Sequence, residues 1–338
     1  MISELLRIRA NGSDPAHNLA VEEYLTMHTE PGQCILFLWQ NKRTVVIGKN
    51  QNAWKECSVR QLEADGGKLV RRLSGGGAVY HDLGNLNFTF CVRRDDYNVA
   101  RQTDVILGAV RSLGIDAVKN GRNDLTVDGK KFSGHAFLKS GPYCYHHGTV
   151  MVDVDAEQLT KYLRVDPQKL AGKGVESVRA RVTNLRAYVP DLTIPALEKA
   201  LTDSFAAVYS LPVKDLREED LPAEEIASRA AVYDSWDWTF GRPIQFTHEM
   251  QARYDWGGVH LGLKVQGGIV RDVLCYSDGL EEGVLGAVLE SLKGCQYGSD
   301  ELVEATLAGV QAAEPLSKVT AAQMAADLCE LIRTNTAR

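Results

Sequence analysis

The chain has no C-x-x-C pair and an odd number of cysteines, seven in all: Cys34, Cys57, Cys91, Cys144, Cys275, Cys295 and Cys329. Scattered in this way they form neither a disulfide frame nor a zinc-ligand spacing, and reduced thiols in a cytoplasm are expected. Net positive charge is also missing, since 38 Lys plus Arg stand against 44 Asp plus Glu for a balance of −6. A general binder of nucleic acid or anionic membrane needs a basic field, so neither partner is expected and any anion must be held by a local site. No apolar run reaches the length of about 18 residues that a membrane span needs. The opening Met1-Ile2-Ser3-Glu4-Leu5-Leu6-Arg7-Ile8 has no basic region followed by a long apolar stretch, so no secretory leader is expected. Internal repeats and low-complexity tracts are absent too.

What the chain does have is a glycine-rich centre, Arg71-Arg72-Leu73-Ser74-Gly75-Gly76-Gly77-Ala78-Val79-Tyr80-His81-Asp82. Three glycines leave backbone N–H groups bare and free to take positive φ, so the loop can press against a phosphate or carboxylate. Strand-like residues lie on both sides, Gly67 to Val70 before and Ala78 to His81 after. A dinucleotide loop would run into a helix and a Walker loop would end in Gly-Lys-Ser/Thr, and neither follows here. The reading is a strand-to-strand anion loop, reinforced by the arginine pair, whose guanidinium groups favour carboxylate or phosphate partners.

At 338 residues, 44% apolar and 24% charged, the chain is long enough for about two ordinary globular domains. Asp14-Pro15 caps a helix from Ala16 to Met27. The apolar runs Cys34–Trp39 and Thr44–Gly48, separated by Asn41-Lys42-Arg43, predict a hairpin in a buried sheet. One helix is predicted from Asn52 to about Ala64, and another from Asp95 to Gly114. Asn85 to Val92 alternates at period two and predicts a half-buried strand. Asp128-Gly129 is a strong hairpin signal that puts Asp124 and Lys131 on paired strands. Tyr145 to Val154 predicts a strand, Gln158 to Leu163 a short helix, and residues 168–185 an irregular functional loop. Helices follow to about Tyr209 and from Glu218 to Tyr233. Composition shifts near Gly241-Arg242-Pro243, which divides the chain into a domain over 1–243 and a smaller one over 250–338. The latter begins with hairpin strands around Gln266-Gly267-Gly268 and ends in helices near 280–293, 299–311 and 319–334.

The candidate site collects Arg71, Arg72, the Gly75-Gly76-Gly77 amides, Asn123, Asp124 and Lys131, with His81, His147 and Arg181 as further members. Cations, one carboxylate and an amide loop suit chemistry on a nucleotide phosphate, with Asp124 holding Mg²⁺.

In order and spacing, these segments resemble the lipoate–protein ligase A family. The match covers Arg71-Arg72-x-Ser74 through Asp82, Gly121-Arg122-Asn123-Asp124-Leu125, Lys131-Phe132-Ser133-Gly134, His146-His147-Gly148-Thr149, and Val178-Arg179-Ala180-Arg181-Val182-Thr183-Asn184-Leu185. Asn18-Leu19-Ala20-x-Glu22-Glu23 and Trp236-x-Trp238 extend it over essentially the whole chain.

The resemblance implies an α/β (α+β) fold: a large catalytic domain like those of class II synthetases and biotin ligases, with mixed sheets, and a small C-terminal α+β domain. It implies activation of lipoate by ATP to lipoyl-AMP, then transfer to a lysine of lipoyl carrier domains, those of 2-oxoacid dehydrogenase E2 subunits and glycine cleavage H protein. Lys131 would contact the lipoate carbonyl and the α-phosphate. Arg72, Gly75, Gly76, Gly77, Ala78, Val79 and Tyr80 would line the acyl-adenylate, with Arg181 in the loop that covers it. Gly76, His81 and His147 would meet lipoate, and Asn123 and Asp124 the phosphate and Mg²⁺. Octanoate is a plausible secondary substrate, since apolar slots discriminate weakly between similar chains. At position 135 this family carries a small polar residue, and His135 is expected to point to solvent. Three rivals stand beside this reading: an ATP-independent acyl transferase working through Cys144, a non-catalytic relative that binds lipoate or a carrier, and biotin ligation, against which the missing Gly-Arg-Gly-Arg loop weighs.

Overall fold

The computed structural model describes residues 1–121, 123–164, 181–240 and 246–336. It divides into two compact units that interleave along the chain. The first holds Met1–Val46, Ala53–Arg71 and Val79–Thr239, and the second holds Ile47–Asn52, Arg72–Ala78 and Phe240–Arg338. The domain boundary expected near residue 243 lies outside the described residues.

In the first unit the elements run β1 (Glu4–Arg9), α1 (Pro15–Met27), β2 (Gln33–Trp39), β3 (Thr44–Ile47), α2 (Ala53–Glu56), α3 (Val59–Ala64), β4 (Lys68–Arg71), β5 (Val79–His81) and β6 (Asn85–Arg93). They continue with α4 (Val99–Ser112), β7 (Val118–Asn120), β8 (Asp124–Val127), β9 (Lys130–Ser140), β10 (Tyr143–Met151), α5 (Ala156–Tyr162), α6 (Ile194–Tyr209), β11 (Val213–Asp215), α7 (Ala223–Tyr233) and α8 (Trp236–Phe240). Eight strands form a mixed sheet in the order β11-β1-β2-β6-β10-β9-β8-β7, and β4-β3-β5 form a smaller one. Asp14 starts α1 by accepting from the N–H groups of Ala16 and His17, with Pro15 in the first turn where its missing N–H costs nothing. Asn98 caps α4 in the same manner.

The expected hairpin of β2 and β3 does not form. β2 pairs with β1 on one side and β6 on the other, so no edge is left for β3, which pairs with β5 in the second sheet. A strand apolar on both faces belongs in the middle of a covered sheet, and both of its edges are then occupied. The predicted helix over 52–64 is broken into α2 and α3, and the 95–114 helix begins only at Val99, after a short 3₁₀ turn over Arg94–Asp96.

Strand β6 alternates as expected, yet it is buried on both faces rather than one. Leu86, Phe88, Phe90 and Val92 enter the main apolar core with Val105, Ile106 and Val110 of α4 and Leu197, Leu201 and Phe205 of α6. Its other face carries Asn85, Asn87 and Thr89, all buried and polar. Buried polar groups have to be hydrogen-bonded, so this face is where specific side-chain geometry accumulates.

The second unit continues with β12 (His248–Tyr254), β13 (Gly257–Gln266), β14 (Ile269–Ser277), α9 (Glu282–Leu292), α10 (Ser299–Ala312) and α11 (Lys318–Asn335). Its antiparallel sheet turns from β13 to β14 through Gly267 and Gly268, both at positive φ. A separate core packs Leu261, Leu263 and Val273 against Val284, Leu285, Leu302, Met324 and Leu328. The large mixed sheet and small C-terminal sheet-and-helix unit make up the expected α/β (α+β) class. No helix among the described residues is long and apolar enough to cross a membrane.

His135 does not point to solvent. It is buried on β9, its Nδ1 2.9 Å from His146 Nε2 and its Nε2 3.0 Å from Ser133 Oγ, with its ring against the edge of Phe88. Strand alternation turns the ring into the sheet's covered face, where only a neutral imidazole is tolerated. Burial therefore pushes His135 down to about 3 from an ordinary 6.5, and His146 well below its usual value. A histidine neutral in the fold but free to protonate when unfolded stabilises fully above the unfolded pKa, and that stability drains as pH falls toward the folded value. From about pH 7 to about pH 5, His135 alone is expected to cost the fold on the order of 2 kcal/mol. Thermal melts across that range check this: His135→Thr should show a shallower acid slope than wild type, and equal slopes would refute it.

Candidate active site

The hairpin of β8 and β9 is set by its turn, where Asp128 and Gly129 both take positive φ, as a two-residue type I′ connection demands. Across it Leu125 pairs with Ser133 but Thr126 pairs with Lys131, so Phe132 is an extra residue in β9. Strict alternation would put Lys131 and Gly134 on opposite faces; this bulge brings them to the same one. Lys131 Nζ lies 2.8 Å from Asp124 Oδ1, with both side chains about one-third exposed. The ammonium rests over Gly134, where an added Cβ would sit 2.8 Å from Nζ and 2.9 Å from Cε. Asn123 adjoins this pair, but its amide donates to the His135 carbonyl at 3.2 Å and its own carbonyl accepts from the His135 N–H at 2.8 Å. Asn123 thus ties the strand end, and among the described residues its side-chain oxygen is the group left to offer a ligand. Thr183 N–H donates to the Lys131 carbonyl at 2.8 Å, pinning the chain just after Arg181 to β9. Arg181 itself is exposed.

Toward the middle of the sheet, the polar face of β6 carries a second cluster. Glu22 of α1 is buried, and its Oε1 accepts from Thr89 Oγ1 at 2.6 Å and lies 2.8 Å from His147 Nδ1. Trp39 Nε1 donates to Thr89 Oγ1 at 3.1 Å. His81 is buried beside Trp39, its Nδ1 3.3 Å from the Asn41 amide and 3.5 Å from that of Asn87. The strand register explains the grouping: His147 lies opposite Thr89, and Trp39 and Thr149 flank Asn87 from either side. Thr149 Oγ1 in turn accepts from the Gly134 N–H at 3.3 Å, linking this face to the lysine hairpin. His147, Asp124 and Lys131 therefore belong to one sheet, with Asn123 just before β8, while His81 stands on β5 of the smaller sheet and meets the polar face of β6 through Asn87. Val79 and Tyr80 stand on β5, with Tyr80 buried 5.6 Å from the Tyr162 ring.

The glycine loop from Arg72 to Ala78 belongs to the second compact unit. Arg72 is buried, and its guanidinium donates to Ser74 Oγ at 3.0 Å and to the carbonyls of Gly75 at 2.6 Å and Gly77 at 2.9 Å. It braces the loop while bringing positive charge to it. Gly76 has φ 90°, a conformation that favours glycine. The neighbouring Arg71 points elsewhere: it donates to the carbonyls of Trp238 and Thr239, and Trp238 Nε1 donates back to its carbonyl at 2.8 Å. Period-two alternation thus separates the two arginines, and Arg72 is the one that serves the loop.

Cys144 is fully buried within the main apolar core. A thiol there is out of reach of a carrier protein. Sequence reasoning gave no role to Glu22, Trp39, Thr89, Asn87 or Asn41. The signal was present in the polar alternation of β6, whose outer face read as exposed when it is covered.

Two family models match the chain: the lipoyl protein ligase A/B catalytic domain over residues 14–206, and the bacterial lipoate protein ligase C-terminus over residues 244–328. A lipoate-protein ligase A of Psychrobacter cryohalolentis is 40% identical over 298 residues, covering 86% of this chain and 88% of that protein. Among solved structures, P. falciparum LipL1 in complex with lipoate superposes with a TM-score of 0.84 at 27% identity, covering 96% of this chain and 99% of the other. A lipoate-protein ligase A bound with ATP gives 0.60 at 26% identity, over 71% of this chain and 99% of the other.

The glycine beneath Lys131 yields a direct test. Gly134→Ala is expected to displace the ammonium from Asp124 while shifting the thermal midpoint little, because the intruding methyl meets the free end of a flexible side chain and not backbone. A crystal structure of the variant with Lys131 unmoved would refute it.

Proposed function

This chain belongs to the lipoate-protein ligase A family, and from that premise we propose that it joins free lipoate to proteins in two steps. First, a carboxylate oxygen of lipoate attacks the α-phosphorus of ATP, the bond to the β-phosphate breaks, and pyrophosphate leaves with the electron pair, giving lipoyl-AMP. Second, the neutral amine of a carrier lysine attacks the acyl carbon, AMP leaves, and the amine gives up a proton. The acceptors we propose are the lipoyl domains of 2-oxoacid dehydrogenase E2 subunits and glycine cleavage H protein. In this reading residues 1–243 do the chemistry and 250–338 are accessory.

The nucleophile of the first step is the substrate's own carboxylate, so no side chain has to be activated. The demand is to hold two anions together and to meet the charge that grows on the α-phosphate. The observation that carries the reading is Lys131, a part-exposed ammonium held in place by Asp124 at 2.8 Å and seated over a glycine on a bulged strand. We assign it to the lipoate carbonyl and the α-phosphate. Arg72, Gly75, Gly76, Gly77, Ala78, Val79, Tyr80 and Asn123 are assigned to the adenylate, Arg181 to its cover, and Gly76, His81 and His147 to lipoate. Asp124 fits a magnesium ion, which takes one or two carboxylates plus phosphate and water instead of an all-protein cage. No cluster of three metal-binding side chains occurs among the described residues. When bound, the ion would offset phosphate charge.

A thioester route through Cys144 is disfavoured by that residue's complete burial. Pyrophosphate release with Mg-ATP and free lipoate separates the readings. Wild type should release it only when lipoate is present. Lys131→Ala should lower the rate at least about 100-fold, the loss of a main charge-stabilising donor, and Cys144→Ala should stay within about twofold. Absent release, with acyl transfer that depends on Cys144, would overturn the ligase reading.

A further inference from the structure

The second compact unit contains a cation and an anion that the adenylation chemistry above leaves unused. Lys49 lies on the Ile47–Asn52 stretch, and its backbone N–H donates to the Ser74 carbonyl at 2.9 Å, which fixes it alongside the glycine loop. Its side chain is 45% exposed and reaches to 3.6 Å from Glu282 Oε2, while the Glu282 side chain is only 7% exposed. Glu282 opens α9, and the residues just before it lie directly on the same loop. Gly76 N–H donates to the Gly279 carbonyl at 2.9 Å, and Ser277 N–H to the Asn50 carbonyl at 2.7 Å. Gly75 meets Gly279 so closely that a Cβ would stand 2.5 Å from its oxygen.

Two acceptors of the chain itself therefore meet donors in or beside the anion loop: the Gly279 carbonyl on the Gly76 N–H, and the Glu282 carboxylate beside Lys49 on the adjoining Ile47–Asn52 stretch. Neighbouring Glu281 differs, because its two oxygens accept from the N–H groups of Leu316 and Ser317 at 2.7 Å and fasten the start of α11. Among the described residues, none donates a backbone N–H to the Glu282 carboxylate in this way. Burial pushes its carboxyl up to about 7 despite the pull of Lys49 and Arg72, so its charge is incompletely compensated where it lies. An anion held under these terms yields readily to one that brings more charge and more acceptors.

We propose that Lys49 is a further polyphosphate-binding residue of the adenylation site and that Glu282 is its resident counter-anion, displaced when nucleotide binds. The adenylation part rests on the ligase reading. The polyphosphate part does not, because Lys49 and Arg72 bring to the loop the positive charge that a phosphate chain takes up.

The test uses full-length protein titrated calorimetrically with Mg-ATP and, separately, with inorganic tripolyphosphate, alongside thermal melts and lipoate-dependent pyrophosphate release. Glu282→Gln keeps the shape and removes the charge, and it should tighten both ligands about three- to tenfold by removing a competing partner of Lys49. Lys49→Gln should weaken both by about tenfold, in the range of one charge-assisted contact. Lys49→Arg should largely restore binding, and the double variant should match Lys49→Gln alone. Glu282→Gln that leaves binding unchanged or weaker at an unaltered melting temperature overturns the proposal, as does Lys49→Gln with unchanged affinity. Should Glu282→Gln melt early, the Lys49→Gln and Lys49→Arg pair decides. Lipoate-dependent turnover with tripolyphosphate binding indifferent to both residues would leave the ligase standing and this inference fallen. The expected binding pattern without lipoate-dependent turnover would do the reverse.

Discussion

A carboxylate inside a sheet-and-helix layer is stable only if its oxygens are taken up, and Glu22 shows how this is done. Thr89 and His147, on neighbouring strands, converge on a single oxygen of a residue carried by α1. That convergence fixes the roll of α1 over the polar face of β6, and it orients the imidazole of His147. Trp39 joins through Thr89, so four elements share one hydrogen-bonded knot. Losing any member would leave a buried polar group unmatched, a larger cost than the modest net worth of each bond. The covered polar face exists as a shaped interior because this knot holds its roof in place.

The two compact units follow the chemistry more closely than the chain order. The basic and glycine-rich turn that dominates the primary sequence is grouped with the C-terminal residues, whereas the lysine hairpin and the buried histidines belong to the large sheet. Short excursions, Ile47–Asn52 and Arg72–Ala78, carry the anion loop out of one unit and into the other. Each unit brings its own cations: Lys131 with its carboxylate partner in one, Arg72 and Lys49 in the other.

Much of this was legible in the residues. The Asp-Gly turn announced its hairpin because so few sequences tolerate two successive positive φ angles, and the Asp14-Pro15 cap announced α1 for a similar reason. The resemblance of the spaced motifs supplied the fold class. What periodicity could not supply was coverage. The Asn-Thr face of β6 has the pattern of a solvated face, and the packing of α1 and of His81 across it makes it interior. His135 was misjudged for the same reason: a histidine next to glycine in a strand has no local mark of burial, and its partner His146 is eleven residues away on the next strand. The pairing of β2 was misread because an apolar run states that both edges will be used without stating by whom.

A strand is a counter with two states, and every residue added or removed changes its parity. The extra residue at Phe132 is such a change, placed between a lysine and the glycine it rests on. It lets one strand send Lys131 to one side of the sheet and, a few residues later, send His135 and Phe137 to the other without a break in pairing. The number of residues between Lys131 and Gly134 is therefore a dimension of the site in its own right. Chemically conservative exchanges along β9 leave that dimension intact, while a single deletion there would invert it even if every side chain named above were retained.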